Sequence, residues 1–80
     1  MLLVEVQHFD KYINVAQITE VEIHGFHISA STATNRHVVT PTIPEAKLKE
    51  TLTQFIGMLA TEGHGVLVYD DERAEFVHQP

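Results

Sequence analysis

One stretch of the chain carries a helical period, and segments with the period of strands flank it on both sides. From Leu48, apolar residues recur at Leu52, Phe55, Ile56 and Leu59, the spacing of a single helix face. Pro41 and Pro44 precede this stripe and Gly63 follows it. Thr42 and Glu45 form a T-x-x-E pattern, in which hydroxyl and carboxylate would satisfy free amides of the first turn. Glu45 and Lys49 are spaced as a favourable i,i+4 pair. Gly63 stands where a C′ glycine ends a helix. The spacing predicts an amphipathic helix over about 43–62. Met58 falls outside the stripe and would extend it toward a partner.

Before the helix the period is two. Leu2, Val4 and Val6 alternate with Glu5 and Gln7 in a segment running to Phe9, the pattern of a half-buried strand. Asp10-Lys11 reads as a turn, and Tyr12, Ile13 and Val15 as a short second strand broken at Asn14. Val21 and Ile23 share one face, with Glu20, Glu22 and His24 on the other. Gly25 permits a turn or bulge. Phe26, Ile28 and Ala30 share a face of the next strand, Thr34-Asn35-Arg36 forms a hairpin tip, and His37 to Thr40 a short return strand. β-branched residues dominate this half, which favours strands. After the helix, Val66-Leu67-Val68-Tyr69 is apolar on both alternating faces, Asp70-Asp71-Glu72 reads as a turn, and Arg73 to His78 as the last strand. The sum is one α+β domain over 1–80: a small antiparallel or mixed sheet of five to seven short strands, one helix on one face, and a C-terminal β-hairpin.

An 80-residue chain holds one modest core and is marginally stable alone. It has no cysteine, so neither a disulfide nor a thiolate metal site can brace it, which fits a reducing compartment. Packing, a metal held by other ligands, or self-association must do so. Eleven acids against five bases give a formal charge of −6. That surface repels phosphate backbones and anionic membranes, which argues against nucleic acid or a bilayer as partner. The apolar start is too short for a signal peptide, no run approaches the ~20 residues that span a bilayer, and the expected location is the cytoplasm.

Six histidines are the unusual part of the composition. His24 and His27 form an H-x-x-H spacing. Along one strand, residues three apart point to opposite faces, so this pair would chelate a metal only with a bulge at Gly25. His24, His27, His64 and His78 are the candidate ligands of a metal-binding alternative. The simpler expectation is no metal, no cofactor and scattered histidines. Asp70, Asp71 and Glu72 lack the spaced oxygens of a calcium loop. Gly63-His64-Gly65 places a histidine in a flexible loop, without a partner nucleophile nearby in sequence. No nucleophile elbow or phosphate-cradling glycine loop is present, and no enzymatic activity is expected. Arg36, His37 and His64 are the candidate contacts for a small ligand. Val66, Leu67, Val68, Tyr69 and Met58 are the candidate oligomer interface, because a strand apolar on both sides needs cover on both.

The run Lys11-Tyr12-Ile13-Asn14-Val15-x-x-Ile18-Thr19-x-Val21-Glu22, followed by His37-Val38-Val39 and a helix, resembles small bacterial proteins of the FlbD type over roughly residues 3–60. The resemblance implies a strand and turn, a hairpin and a short helix. DNA-binding LytTR domains are similar in a looser way, but their basic DNA-contacting segment is missing here and the charge is opposite. Neither resemblance supplies a catalytic or ligand residue. The expected role is a small protein-interaction or regulatory module that acts as a homo-oligomer, of the kind a phage- or plasmid-type inhibitor or a bacterial regulatory subunit would be. The alternatives are a small-ligand binder (a nucleotide or metabolite) with its site at a subunit interface, and a histidine-dependent metal binder.

Overall fold

The computed structural model describes residues 1–7 and 11–80. The order is β1 (Leu2–Val6), β2 (Lys11–Asn14), a 3₁₀ turn (Val15–Gln17), β3 (Glu20–His24), β4 (His27–Ser31), β5 (Arg36–Val38), α1 (Glu45–Thr61), β6 (Gly65–Asp70) and β7 (Glu75–Gln79). The α+β class and the C-terminal hairpin agree with the sequence reading. The single sheet does not: there are two, a mixed sheet β2-β1-β6-β7 and an antiparallel sheet β3-β4-β5. β6 returns after the helix to pair in parallel with β1, which sets the N-terminal and C-terminal strands side by side. The expected extension of the first strand to Phe9 and the turn at Asp10 fall outside the described residues. Lys11 itself begins β2 rather than a turn. Asn14 ends that strand by accepting the Ala16 N–H on its side-chain oxygen at 2.9 Å, which leads the chain into the 3₁₀ turn.

β3 and β4 are joined by a two-residue turn, Gly25-Phe26, with His24 paired to His27. Gly25 has φ +62°, which suits a glycine at the first central position of a primed hairpin turn. Phe26 is therefore a turn residue, half-exposed, and does not share the inward face of Ile28 and Ala30. Residues 39–43 run on beside β4: the Val39 N–H donates to the Ile28 carbonyl at 3.0 Å and the Ile43 N–H to the Phe26 carbonyl at 2.8 Å. The buried Thr40 hydroxyl accepts the Ile28 N–H at 3.0 Å. The Gln7 N–H donates to the Val38 carbonyl at 3.3 Å and ties the two sheets at one corner.

This ladder decides how the helix begins. Pro44 is the N-cap residue, with no side-chain cap, and Glu45 is the first helical residue. The expected Thr42/Glu45 capping box does not form, because the chain through Ile43 is already committed to β4. The ion pair on the helix is Lys47–Glu50 at 3.4 Å, not Glu45–Lys49. At the far end Glu62 is the C-cap, its N–H donating to the Met58 carbonyl. Gly63 does not take the left-handed conformation expected of it, whereas Gly65 does have a positive φ, at +99°.

The inner face of the mixed sheet (Leu2, Val4, Val6, Ile13, Leu67, Tyr69, Phe76), the inner face of the smaller sheet (Ile28, Ala30) and the helix share one core. The helix buries Leu48, Thr51 and Phe55, while Ile56 is 49% exposed. Its inward face is thus rotated from the apolar stripe of the sequence. Thr51 tolerates burial because its hydroxyl donates to the Lys47 carbonyl at 2.8 Å, leaving its methyl for the core. Met58, expected to face a partner, packs against the chain's own core.

Gln54 fastens the helix to the free edge of β7. Its side-chain amide donates to the Phe76 carbonyl at 3.1 Å and accepts the Phe76 N–H at 2.9 Å, as a neighbouring strand would. Gln54→Ala leaves both backbone groups unpaired and is expected to cost about 1–3 kcal/mol, read as a lower urea midpoint at unchanged m-value. An unchanged midpoint would rule this clamp out.

Candidate functional site

The sequence-predicted residues sit in three places. Arg36 and His37 are adjacent in β5, but strand alternation sends them to opposite faces. Arg36 pairs with Ser31 and His37 with Ala30. On the outer face of the small sheet, an Arg36 guanidinium nitrogen lies 3.2 Å from a Glu22 carboxylate oxygen. That oxygen has no hydrogen-bond partner, so the contact is Coulombic rather than a directed hydrogen bond. A second guanidinium nitrogen lies 3.4 Å from the His24 ring.

His24 and His27 do share a face, contrary to the alternation argument. The chain reverses between them, and residues three apart across a two-residue turn become direct cross-strand partners. The His27 Nδ1–H donates to the Thr40 carbonyl at 3.1 Å, and His24 is occupied by Arg36. Among the described residues no three histidine, aspartate or glutamate side chains gather as metal ligands.

His37 faces a cleft at the corner where the two sheets meet. Val6, Lys11, Arg36, His37 and Val38 line a volume of about 410 Å³. Burial, and after it the charge of Lys11, holds the His37 imidazole below its ordinary range. Lys11 is the member that sequence reasoning missed. In the sequence Asp10-Lys11 reads as a turn; as the first residue of β2, Lys11 pairs with Val6 and so shares the inward face.

His64 lies at the opposite end of the mixed sheet. Its backbone carbonyl accepts the Nε2–H of His78 at 2.6 Å, and the other ring nitrogen of His78 stands 3.7 Å from a Glu62 carboxylate oxygen. These contacts join the end of the helix to β7. They do not bring His64 to Arg36 or His37.

Val66–Tyr69 divides by face. Leu67 and Tyr69 are buried in the chain's own core, and Tyr69 stacks edge-on against Phe76 at 5.3 Å. Val66 and Val68 point to the other side of the sheet. The register places Leu3 beside Val66, Val77 beside Val68, and Tyr12 beside Glu5 on that same outer side. Leu3, Val66, Val68 and Val77 are only half-buried and outside the core, and Tyr12 is 50% exposed. Leu3 was legible as a member of this face, since it alternates with the inward Leu2 and Val4. No helix among the described residues is long and apolar enough to cross a membrane. No family model, curated protein or solved structure matches the chain.

Proposed function

We propose that this chain is a non-enzymatic interaction module that works as a homo-oligomer, in the manner of a small regulatory subunit or inhibitor. The observation that carries the reading is the outer face of the mixed sheet. Leu3, Val66, Val68 and Val77 make an apolar patch across three strands there, with Tyr12 on the fourth strand beyond Glu5, to whose carboxylate its hydroxyl donates at 3.4 Å, while the helix and the second sheet occupy the inner side. Charge favours a second copy in one orientation. Asp70 and Glu75 lie at one end of the strands on this face, the neutral Asn14 and Gln79 at the other, and Glu5 in the row between them. Stacking two copies with strands running oppositely sets each acidic end over a neutral one.

Size sets the strength. Four strands about 4.8 Å apart and five residues at about 3.4 Å each make a face roughly 15 Å by 17 Å. A two-copy interface of that size falls below about 1,200 Å², the range of weak, reversible association. Sedimentation equilibrium is expected to show mass rising with concentration through the micromolar range. Added salt strengthens the association by screening two net-negative chains. Val68→Lys holds the protein monomeric with an unchanged far-UV spectrum. A constant monomer mass for the wild type through high micromolar concentration would sink the reading.

A further inference from the structure

We propose that the corner cleft between the end of β1, the start of β2 and strand β5 binds the oxyanion group of a small molecule, a phosphate or carboxylate, through Lys11, His37 and Arg36. The chain has only five lysines and arginines against eleven acids. Two of the five, and a histidine, line this one cleft, and among the described residues no carboxylate lines it. The contrast with a second cleft, beside the helix, is informative. That one holds Lys47 and Arg73 together with Glu50 and Glu75, and Lys47 is already paired with Glu50. Its charges cancel locally; at the corner Arg36 has Glu22 beside it at 3.2 Å, and among the described residues Lys11 has no carboxylate in the cleft.

The geometry suits an anion with a small apolar body. Val6 and Val38 supply apolar wall, and about 410 Å³ lies within the usual range for small-molecule sites. Burial first, and the charge of Lys11 after it, lower the His37 pKa, and both groups line the same cleft. An oxyanion between them offsets the Lys11 charge and accepts hydrogen bonds from both. Arg36 is half-exposed and held to Glu22 without a directed hydrogen bond, which leaves it able to contribute charge at the rim. The acidic surface elsewhere excludes polyanions, which would have to cross it, and so selects a small ligand.

The test is an amide and imidazole NMR titration of the full chain at constant ionic strength. It uses inorganic phosphate and, separately, acetate, at protein concentrations where the chain is monomeric, so the outcome is independent of self-association. The expected result is a saturable set of shifts confined to Val6, Lys11, Arg36, His37 and Val38. Affinity is expected to fall by about tenfold or more in Lys11→Gln and in His37→Gln, and to be unchanged in Lys49→Gln. Saturation by phosphate alone assigns a phosphate-bearing ligand, and saturation by both anions a general oxyanion site. Shifts that do not saturate, that spread over the surface, or that persist unchanged in Lys11→Gln overturn the proposal.

Discussion

Phe55→Ala is expected to cost about 3–5 kcal/mol, most of what a domain of this size possesses. Phe55 is fully buried and its ring stacks on Phe76 with centroids 4.5 Å apart and planes inclined by 17°. Phe76 in turn meets Tyr69 edge-on, so the three rings join the helix to both strands of the C-terminal hairpin. Truncation removes the ring's burial, leaves a void that β-strands on two sides cannot easily close, and breaks the aromatic stack. Ile56→Ala, one residue along, removes a half-exposed side chain and is expected to cost less than about 1 kcal/mol. The pair tests the rotation of the helix, because the apolar stripe of the sequence includes both residues equally. Urea denaturation of the two variants decides it. Equal losses would mean that the helix presents a different face to the sheets.

That comparison shows what the sequence could and could not reveal. The helix and most strands were legible because their apolar periods differ, and the C-terminal hairpin because a carboxylate-rich turn separates two apolar runs. Asp70 ends β6 and caps that turn, accepting the Glu72 and Arg73 N–H groups on its side chain. The turn runs over 71–74, so Arg73 lies in it rather than in the last strand, which begins at Glu75. The rotation of the helix was hidden because Thr51 counts as polar by composition yet satisfies its hydroxyl within the helix. The helix start was hidden for a tertiary reason: β4 holds the preceding residues through Ile43, and no local pattern announces that. The division into two sheets depends on β1 meeting β6, a pairing across most of the chain. Of the candidate sites, the sequence could nominate Arg36 and His37 as polar residues near a turn. It could not supply Lys11, which reaches them only through the pairing of β2 with β1 and the contact of Gln7 with Val38.

The glycines give the sharpest case. Gly63 looked like the residue on which the helix end depends, yet it has an ordinary backbone conformation, and a methyl group added there meets nothing within 4 Å. Gly63→Ala is expected to be neutral or to stabilise by up to about 1 kcal/mol through a less flexible unfolded chain. Gly65 is different in every respect. Its φ of +99° is one that side chains rarely adopt and that alone costs about 1–3 kcal/mol in any other residue. A Cβ there would also overlap the Gln79 carbonyl, and would lie 2.8 Å from His78 Nε2 and 3.1 Å from the Pro80 Cα. Two of these three neighbours are backbone, so relief requires moving the end of β7 away from β6. That movement strains the His78–His64 bond and the bond from the Gly65 N–H to the Met1 carbonyl, 3.1 Å long. Both contacts hold the mixed sheet closed at this end. Gly65→Ala is therefore expected to lose on the order of 3 kcal/mol or more, which for a domain of about 80 residues lowers the melting temperature by well over 10 °C. Thermal melts of the two glycine variants side by side provide the check. If Gly65→Ala melts with Gly63→Ala, β6 and β7 do not approach each other as closely as the structure places them.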